Sequence, residues 1–377
     1  MRVGSHDVDA LIDEVSVNCS CSRTHSVGLK GIEVVNGHAG ETVLRLIGEN
    51  CCAERVAVAV DRVTLGVLGG EVAGALSSSG IEVKLVEVTK ADEANVSAVE
   101  RSLAGTEFAV AVGGGTVIDV CKLASYRSGK PFVSVPTALS HDGISSPVAS
   151  IWLGDRPYRT SVLAREPMAV VADISVLRGS PRRLAAAGVG DLLAKVTALK
   201  DWELGKRYGG EEVCEAAYQL EVMAIKRALE FVRGGLREHE KLLEGLVFSG
   251  LAMSLVGSSR PASGSEHLIS HYIDGKGKSR ALHGEQVALG TVAMALYHSE
   301  VNDMWWKEER LGWRRIRRVM EEVGLPVTLA EIGLNEEDGV GAIVNAADIR
   351  PERFTVLHMR RPSEQEAMSL LRRTGIC

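Results

Sequence analysis

The chain has 377 residues, 45% of them apolar and 24% charged, so it can bury a large core without staples. Its 43 basic and 49 acidic side chains leave a net charge of −6, which argues against a general nucleic-acid binder. The 40 glycines show no three-residue period and prolines number only 10, which excludes a collagen-like chain; no apolar run is long enough to predict a membrane span. The N-terminus carries Asp7, Asp9, Asp13 and Glu14, the wrong charge for a secretory leader. The seven cysteines are Cys19, Cys21, Cys51, Cys52, Cys121, Cys214 and Cys377. None form a C-x-x-C pair, which argues against a thiolate zinc site, and the odd count fits a reducing cytoplasm. They read as small buried groups plus a few exposed thiols.

Val56 to Val60 is a short apolar β-branched run, typical of a parallel strand covered on both faces. Residues 66–79 read as helix, Ile81 to Val88 as strand and 94–104 as helix. Phe108 to Val112 is a strand running into Gly113-Gly114-Gly115; 116–128 is a helix, Phe132 to Val135 a strand, and Val170 to Ile174 the last strand. Between them, Gly154-Asp155 sits between two β-like runs and reads as a hairpin turn. This alternation predicts βαβ units and a mostly parallel sheet. After Pro181 the stretches 182–204, 211–256, 262–273, 282–299 and 305–323 have helical composition. The expected architecture is an α/β Rossmann-like parallel-sheet domain over residues 1–178, followed by an all-α domain over 179–377. The apolar stretch 282–299 suits core or subunit interface equally. The basic run Lys307 to Arg318 reads as the solvated face of an amphipathic helix.

Four constellations carry chemistry. The strand–Gly113-Gly114-Gly115-Thr116-Val117–helix junction suits a pyrophosphate, since glycines allow close approach and the helix presents free N–H groups; a tight structural turn is the alternative. Asp61, at the end of the first strand, can bind ribose hydroxyls and would then mildly prefer NAD over NADP, or it can cap a helix. Pro136 to Ser146 (PTALSHDGISS) follows a strand at the carboxyl edge of the sheet, where ligands bind in open α/β folds; ordinary turn chemistry is the alternative. Finally, His267 and His271 share one helix face, and with Asp191 and His283 they offer donors for a divalent metal with an open position.

Together the segments GGGTVIDVCKLAS, VPTALSHDGISSP, GVGDLLAKVTALKDWELG, SSRPASGSEHLISHYID and LHGEQVALGT resemble the sn-glycerol-1-phosphate dehydrogenases. That family lies within the larger group of iron-dependent alcohol dehydrogenases, glycerol dehydrogenases and dehydroquinate synthases. The segments span Gly113 to Thr291, about half the chain; residues 1–27 fall outside and read as an extension free to fray. The resemblance implies NAD(P)H-dependent, reversible reduction of dihydroxyacetone phosphate to sn-glycerol 1-phosphate for phospholipid synthesis. It implies that Gly113, Gly114, Gly115, Thr116 and Val117 hold the cofactor pyrophosphate, and that Thr137, Ser140 and Ser146 contact the cofactor. It further implies that Asp142 contacts substrate and that Asp191, His267 and His283 ligate one divalent metal per subunit, zinc first, with nickel or iron as alternatives. His271 is expected to hydrogen-bond substrate, and either His271, for which a near-neutral pKa would suit, or a metal-bound water to deliver the proton. Catalytic roles therefore fall on Asp191 and His271. Lys195, Lys122 and Arg260 are the candidate partners of the substrate phosphate. The expected setting is the cytoplasm, with a small-molecule substrate and a homo-oligomer, dimer or octamer. The alternatives are an alcohol or glycerol dehydrogenase acting on unphosphorylated substrate, or a dehydroquinate synthase-like lyase.

Overall fold

The computed structural model describes every residue except Met1, Gly4, Ser5, Cys51, Cys52 and Asp155. Cys51, Cys52 and the second residue of the expected Gly154-Asp155 turn therefore lie outside the described residues. A short ladder of β1 (Arg2–Val3) with β2 (His6–Asp7) leads into α1 (Val8–Ser16). There follow β3 (Gly31–Val35), α2 (Ala39–Asn50), β4 (Arg55–Val60), α3 (Arg62–Thr64), a π turn over Leu65–Gly69, and α4 (Gly70–Ser78). Next come β5 (Glu82–Glu87), α5 (Glu93–Leu103), β6 (Phe108–Gly113), α6 (Gly115–Arg127) and β7 (Phe132–Pro136). The antiparallel pair β8 (Val148–Ile151) and β9 (Thr160–Leu163) precedes β10 (Ala169–Asp173) and α7 (Ile174–Gly179).

Six of these strands form one parallel sheet, in the order β3-β10-β7-β6-β4-β5. The alternation of β4 explains its two-sided burial. Val56, Val58 and Val60 join the core beneath α2 and α4, while Ala57 and Ala59 face the larger core on the other side. The chain passes from β4 to β5 on one side, then crosses to β6 on the other side of β4. The loops after β4 and β6 thus part at the carboxyl edge and leave a crevice between them, the usual ligand position in such sheets. Edge strand β3 was not among the expected elements. Among the described residues it pairs with β10 alone, and Gly31 and Glu33 interrupt the apolar run that marks the other strands. The expected tight turn is a longer connection, since eight positions separate β8 from β9.

The remainder is helical: α8 (Arg182–Gly209), α9 (Glu215–Arg233), α10 (His239–Val256), α11 (Ser265–Lys276), α12 (His283–Val301), α13 (Trp313–Val323), α14 (Glu336–Asn345), α15 (Val356–Met359) and α16 (Glu364–Thr374). The expected single stretch 211–256 breaks between α9 and α10, where Gly235 and Leu236 adopt left-handed backbone. The helix expected from 305 starts at Trp313 and buries Ile316, Val319, Met320 and Val323; Arg314 and Arg318 face outward, whereas Arg317 donates to the Val327, Thr374 and Gly375 carbonyls. Residues 284–298 of α12 are buried within a single chain, so this stretch is core rather than interface. No helix among the described residues is long and apolar enough to cross a membrane.

Two details position the site. Helices α8 and α12 meet at backbone contact: a Cβ at Gly190 would lie 2.3 Å from the Gly284 carbonyl oxygen, and one at Gly284 only 1.9 Å from that of Ala187. Residues 6–25 do not fray. Helix α1 buries Val8, Leu11, Ile12 and Val15 and packs on α9, and the coil after it is tied down by Ser22 to Glu212 and by Arg23 to the Val256 carbonyl.

Candidate active site

The cofactor side begins at the crevice. Asp61 caps α3: its Oδ1 accepts from the N–H groups of Val63 and Thr64, both at 2.8 Å, which is the capping reading of this residue. It also lines a groove of about 560 Å³ that passes Gly114, Thr116 and Thr137. That groove adjoins a cleft of about 400 Å³ containing Gly115, Ser140, Asp142 and Ser146. Gly114 is the N-cap of α6, so the first N–H groups of that helix open onto the groove. Gly115 is needed for close approach, because a Cβ there would lie 1.7 Å from His141 Nε2. Val117 is buried and would crowd any Cβ at Gly113, so any contribution to a ligand comes through its main chain. Ser146 donates to the Val148 carbonyl at 3.3 Å, and Thr137 N–H to that of Gly113 at 3.1 Å.

His267 (α11) and His283 (α12) line the same cleft, and with the buried Asp191 (α8) they bring one donor atom each to within 4.8 Å of one another. Their surroundings fit a cation. His267 Nδ1 lies 2.7 Å from Glu266 Oε1, and Glu266 also accepts from Thr197 and the Gly264 N–H. A carboxylate only accepts, so the ring proton sits on Nδ1 and the Nε2 lone pair points toward Asp191, 3.9 Å away. His283 follows the same logic more loosely. Ser270 spends its hydroxyl proton on Gln286 Oε1 at 2.7 Å, which leaves its oxygen to accept from His283 Nδ1 at 3.5 Å. Burial above all holds the His283 imidazole well below its ordinary pKa, in the neutral form a ligand needs.

His271 lines the same cleft, and its buried Nδ1 has no hydrogen-bond partner among the described residues. Burial above all, with the charge of Arg159 among the further causes, pushes its pKa down to about 3. This lies below the expected near-neutral value, because desolvation beside Arg159 favours the neutral imidazole at His271. Asp142 is engaged on one oxygen, Oδ2, which accepts from Lys195 and Ser249, each at 2.8 Å; its N–H donates to Asp191 Oδ2 at 2.9 Å. Ser249 continues to Glu221 at 3.0 Å, whose carboxyl burial raises to about 8 against the pull of Lys195. A neutral Glu221 can donate to Ser249, which donates to Asp142, so the chain of bonds is consistent in direction.

The three cations named from sequence do not face the cleft as free groups. Lys195 bonds to Asp142, Asp191 and the Ala262 carbonyl, and these carboxylates outweigh burial and raise its pKa. Lys122 bonds to Asp119 and two carbonyls, and Arg260 to Glu211 and two carbonyls. Sequence reasoning missed the cation that does line the cleft, Arg159, held 3.4 Å from Asp274. Arg350 joins Arg159 and His271 in an adjoining recess of about 320 Å³. Arg159 carried no motif. Arg350 lies in the segment IRPERFTVLH, which folds back: Arg353 donates to the Ser263 carbonyl and Val356 N–H to Asp201. His358 there only bridges Thr355 and the Ala347 carbonyl.

A family model described as iron-containing alcohol dehydrogenase matches residues 34–181. A Pyrococcus furiosus protein named glycerol-1-phosphate dehydrogenase (NAD(P)+) is 45% identical over 275 residues, covering 72% of this chain and 75% of that one. One of the same name from Sulfurisphaera tokodaii is 43% identical over 303 residues, 78% and 82% of the two chains. Among solved structures, a probable glycerol dehydrogenase from Sinorhizobium meliloti superposes with a TM-score of 0.74 at 20% identity, covering 92% of this chain and 96% of that chain. This last likeness speaks for the fold alone.

Proposed function

The chain belongs to the glycerol-1-phosphate dehydrogenase family, and from that membership we propose that its cleft reversibly reduces dihydroxyacetone phosphate to sn-glycerol 1-phosphate with NADH or NADPH. The product is the glycerophosphate backbone of phospholipids. One observation carries the residue-level reading: His267 and His283, whose donor atoms cluster with that of Asp191, share one cleft with the Gly114–Gly115 turn.

The roles follow from that placement. The α6 N-terminus, with Gly113 to Val117, holds the cofactor pyrophosphate through main-chain N–H groups. Asp61 keeps its capping bonds on Oδ1 and offers Oδ2 to the ribose. Thr137, Ser140 and Ser146 border the nicotinamide end. Asp191, His267 and His283 hold one divalent cation, zinc first; an N₂O donor set also suits nickel or iron. When bound, the metal supplies Lewis-acid polarisation of the carbonyl and the nicotinamide supplies hydride. Neutral His271 holds a substrate hydroxyl through its unpartnered ring nitrogen, and Asp142 Oδ1 faces the same space. Lys195 fixes Asp142 and Asp191 relative to one another. Arg159 and Arg350 meet the substrate phosphate, which supplies local attraction that a net charge of −6 does not. We divide the chain near residue 178 into a cofactor-binding part and a metal- and substrate-binding part. We place it in the cytoplasm as a homo-oligomer, dimer or octamer, which light scattering checks.

The test compares NAD(P)H oxidation with dihydroxyacetone phosphate and with dihydroxyacetone, with and without chelator, followed by chiral analysis of the product. Strong preference for the phosphate and loss of activity on metal removal are expected. Equal turnover of both substrates would favour the alcohol-dehydrogenase alternative, and no net cofactor oxidation a lyase. Arg159→Ala should raise KM for the phosphate substrate about 10- to 100-fold, the worth of a charged hydrogen bond, and leave dihydroxyacetone unaffected.

A further inference from the structure

Cys19, Cys21, His25 and Cys214 bring four soft donor atoms together, all within 4.8 Å of one another. Cys19 Sγ lies 3.4 Å from Cys21 Sγ and 3.7 Å from Cys214 Sγ. His25 Nε2 lies 3.3 Å from Cys21 Sγ and 3.4 Å from Cys214 Sγ. Metal–sulfur bonds of about 2.3 Å and metal–nitrogen bonds of about 2.0–2.1 Å in a tetrahedron give edges of about 3.8 Å between sulfurs and about 3.6 Å from sulfur to nitrogen. The observed edges lie within a few tenths of an ångström of these. A disulfide would need about 2.05 Å, which no pair approaches.

We propose that Cys19, Cys21, His25 and Cys214 form a second, closed metal site that takes one thiophilic divalent cation, zinc first, and staples the N-terminal segment to the start of α9. Three considerations support it. The donors number four, the complement of a structural zinc site with no position left for substrate. Three sulfurs select a softer ion than the Asp191/His267/His283 set does. And the residues between α1 and β3 form a coil with little apolar burial, the kind of segment whose order a metal supplies. Cys214 is the N-cap of α9, so the positive end of that helix faces the sulfurs. The Glu215 carboxylate also approaches, 3.2 Å from Cys19 Sγ, with Lys206 and Arg23 among the nearby cations. A thiolate site here runs against the sequence expectation, in which the missing C-x-x-C spacing argues against thiolate zinc. Cys19, Cys21 and His25 lie within seven residues, but Cys214 stands 195 positions from Cys19, so the local cluster is one donor short of a site.

The experiment counts metal in the purified full chain by mass spectrometry, independent of any turnover. Wild type should hold about two zinc ions, one at each site. Cys19→Ser/Cys214→Ser should hold one and retain NAD(P)H oxidation with a lowered Tm; His267→Ala/His283→Ala should hold the other and lose activity. Should the cysteine variant fail to fold, cobalt(II)-loaded wild type decides, because only thiolate ligation gives a sulfur-to-cobalt charge-transfer band. That band should persist in His267→Ala/His283→Ala. A single metal that vanishes with the histidine pair, absence of the band, or a cysteine pair resistant to alkylation until reduced would each overturn the proposal. Failure of the proposed activity would leave the metal count unchanged, so the two readings fail separately.

Discussion

Two donor clusters meet the same 4.8 Å proximity yet are built for different ends. Asp191, His267 and His283 stand on three buried helices, the two histidines line a cleft, and each donor is oriented by a further polar neighbour. Cys19, Cys21 and His25 sit on a coil, and Cys214 caps a single helix. The first cluster has three donors and space beside them; the second has four and closes on itself. Proximity alone therefore does not separate a reactive metal centre from a structural one. Donor count, donor softness and what lies next to the donors do.

The comparison can be broken most forcefully at the open centre. His283→Ala should lower kcat/KM about 10²- to 10⁴-fold, since the polarising cation contributes several kcal/mol to the transition state, while a cysteine-bound metal persists. Losing both metals together would show the clusters to be coupled. Asp201→Asn comes next and touches neither set. Asp201 is buried and accepts from the N–H groups of Ser265 and Val356, both at 2.6 Å, beside His298 at 3.2 Å. Breaking such a buried pair should cost about 3–5 kcal/mol in urea unfolding, with the metal count preserved. The carboxyl of Asp201 is held below its ordinary pKa despite burial, chiefly by His298. Its contribution is therefore full at neutral pH and lost as pH falls below about 4, which acid unfolding of wild type against the Asn variant should show as a shallower loss in the variant.

Glu266→Gln sharpens the contrast more gently. It weakens the hold on His267 and should cost about 10- to 100-fold in metal affinity at the open centre alone, measured by chelator competition. The smallest effect is expected from Asp61→Asn. Asn caps a helix as well as Asp, so stability should hold, while discrimination against NADP relaxes by less than about tenfold. A Tm change without a cofactor change would return Asp61 to a purely capping role.

Much of this was legible in the sequence where the signal was local. The Val-Ala-Val-Ala-Val run of β4, the glycine turn after β6 and the His267/His271 spacing all announce themselves within a few residues. Glu266 was visible as the neighbour of His267, though its role needed the fold. The rest was illegible because its partners are remote. Lys195 reads as a free cation until α8 sets it between Asp142 and Asp191. Arg159 reads as loop charge until β9 presents it to the cleft. The three cysteines read as scattered thiols until α1 docks on α9. The helix break at Gly235 and Leu236 was hidden by composition, since both flanking segments are helix formers and the left-handed turn is fixed by two residues.

The glycine seam between α8 and α12 has a consequence for how such an enzyme adapts. Gly190 and Gly284 adjoin Asp191 and His283 in sequence, and main chain meets main chain there. The span between those two ligands is thus gauged by peptide groups, which are nearly incompressible, rather than by side chains that can repack. A lineage moving to a different metal cannot easily widen or narrow this bite by core substitution. It would have to exchange a donor or retune the groups behind it, so variation should gather at positions like Glu266 and Ser270 while the glycines stay fixed.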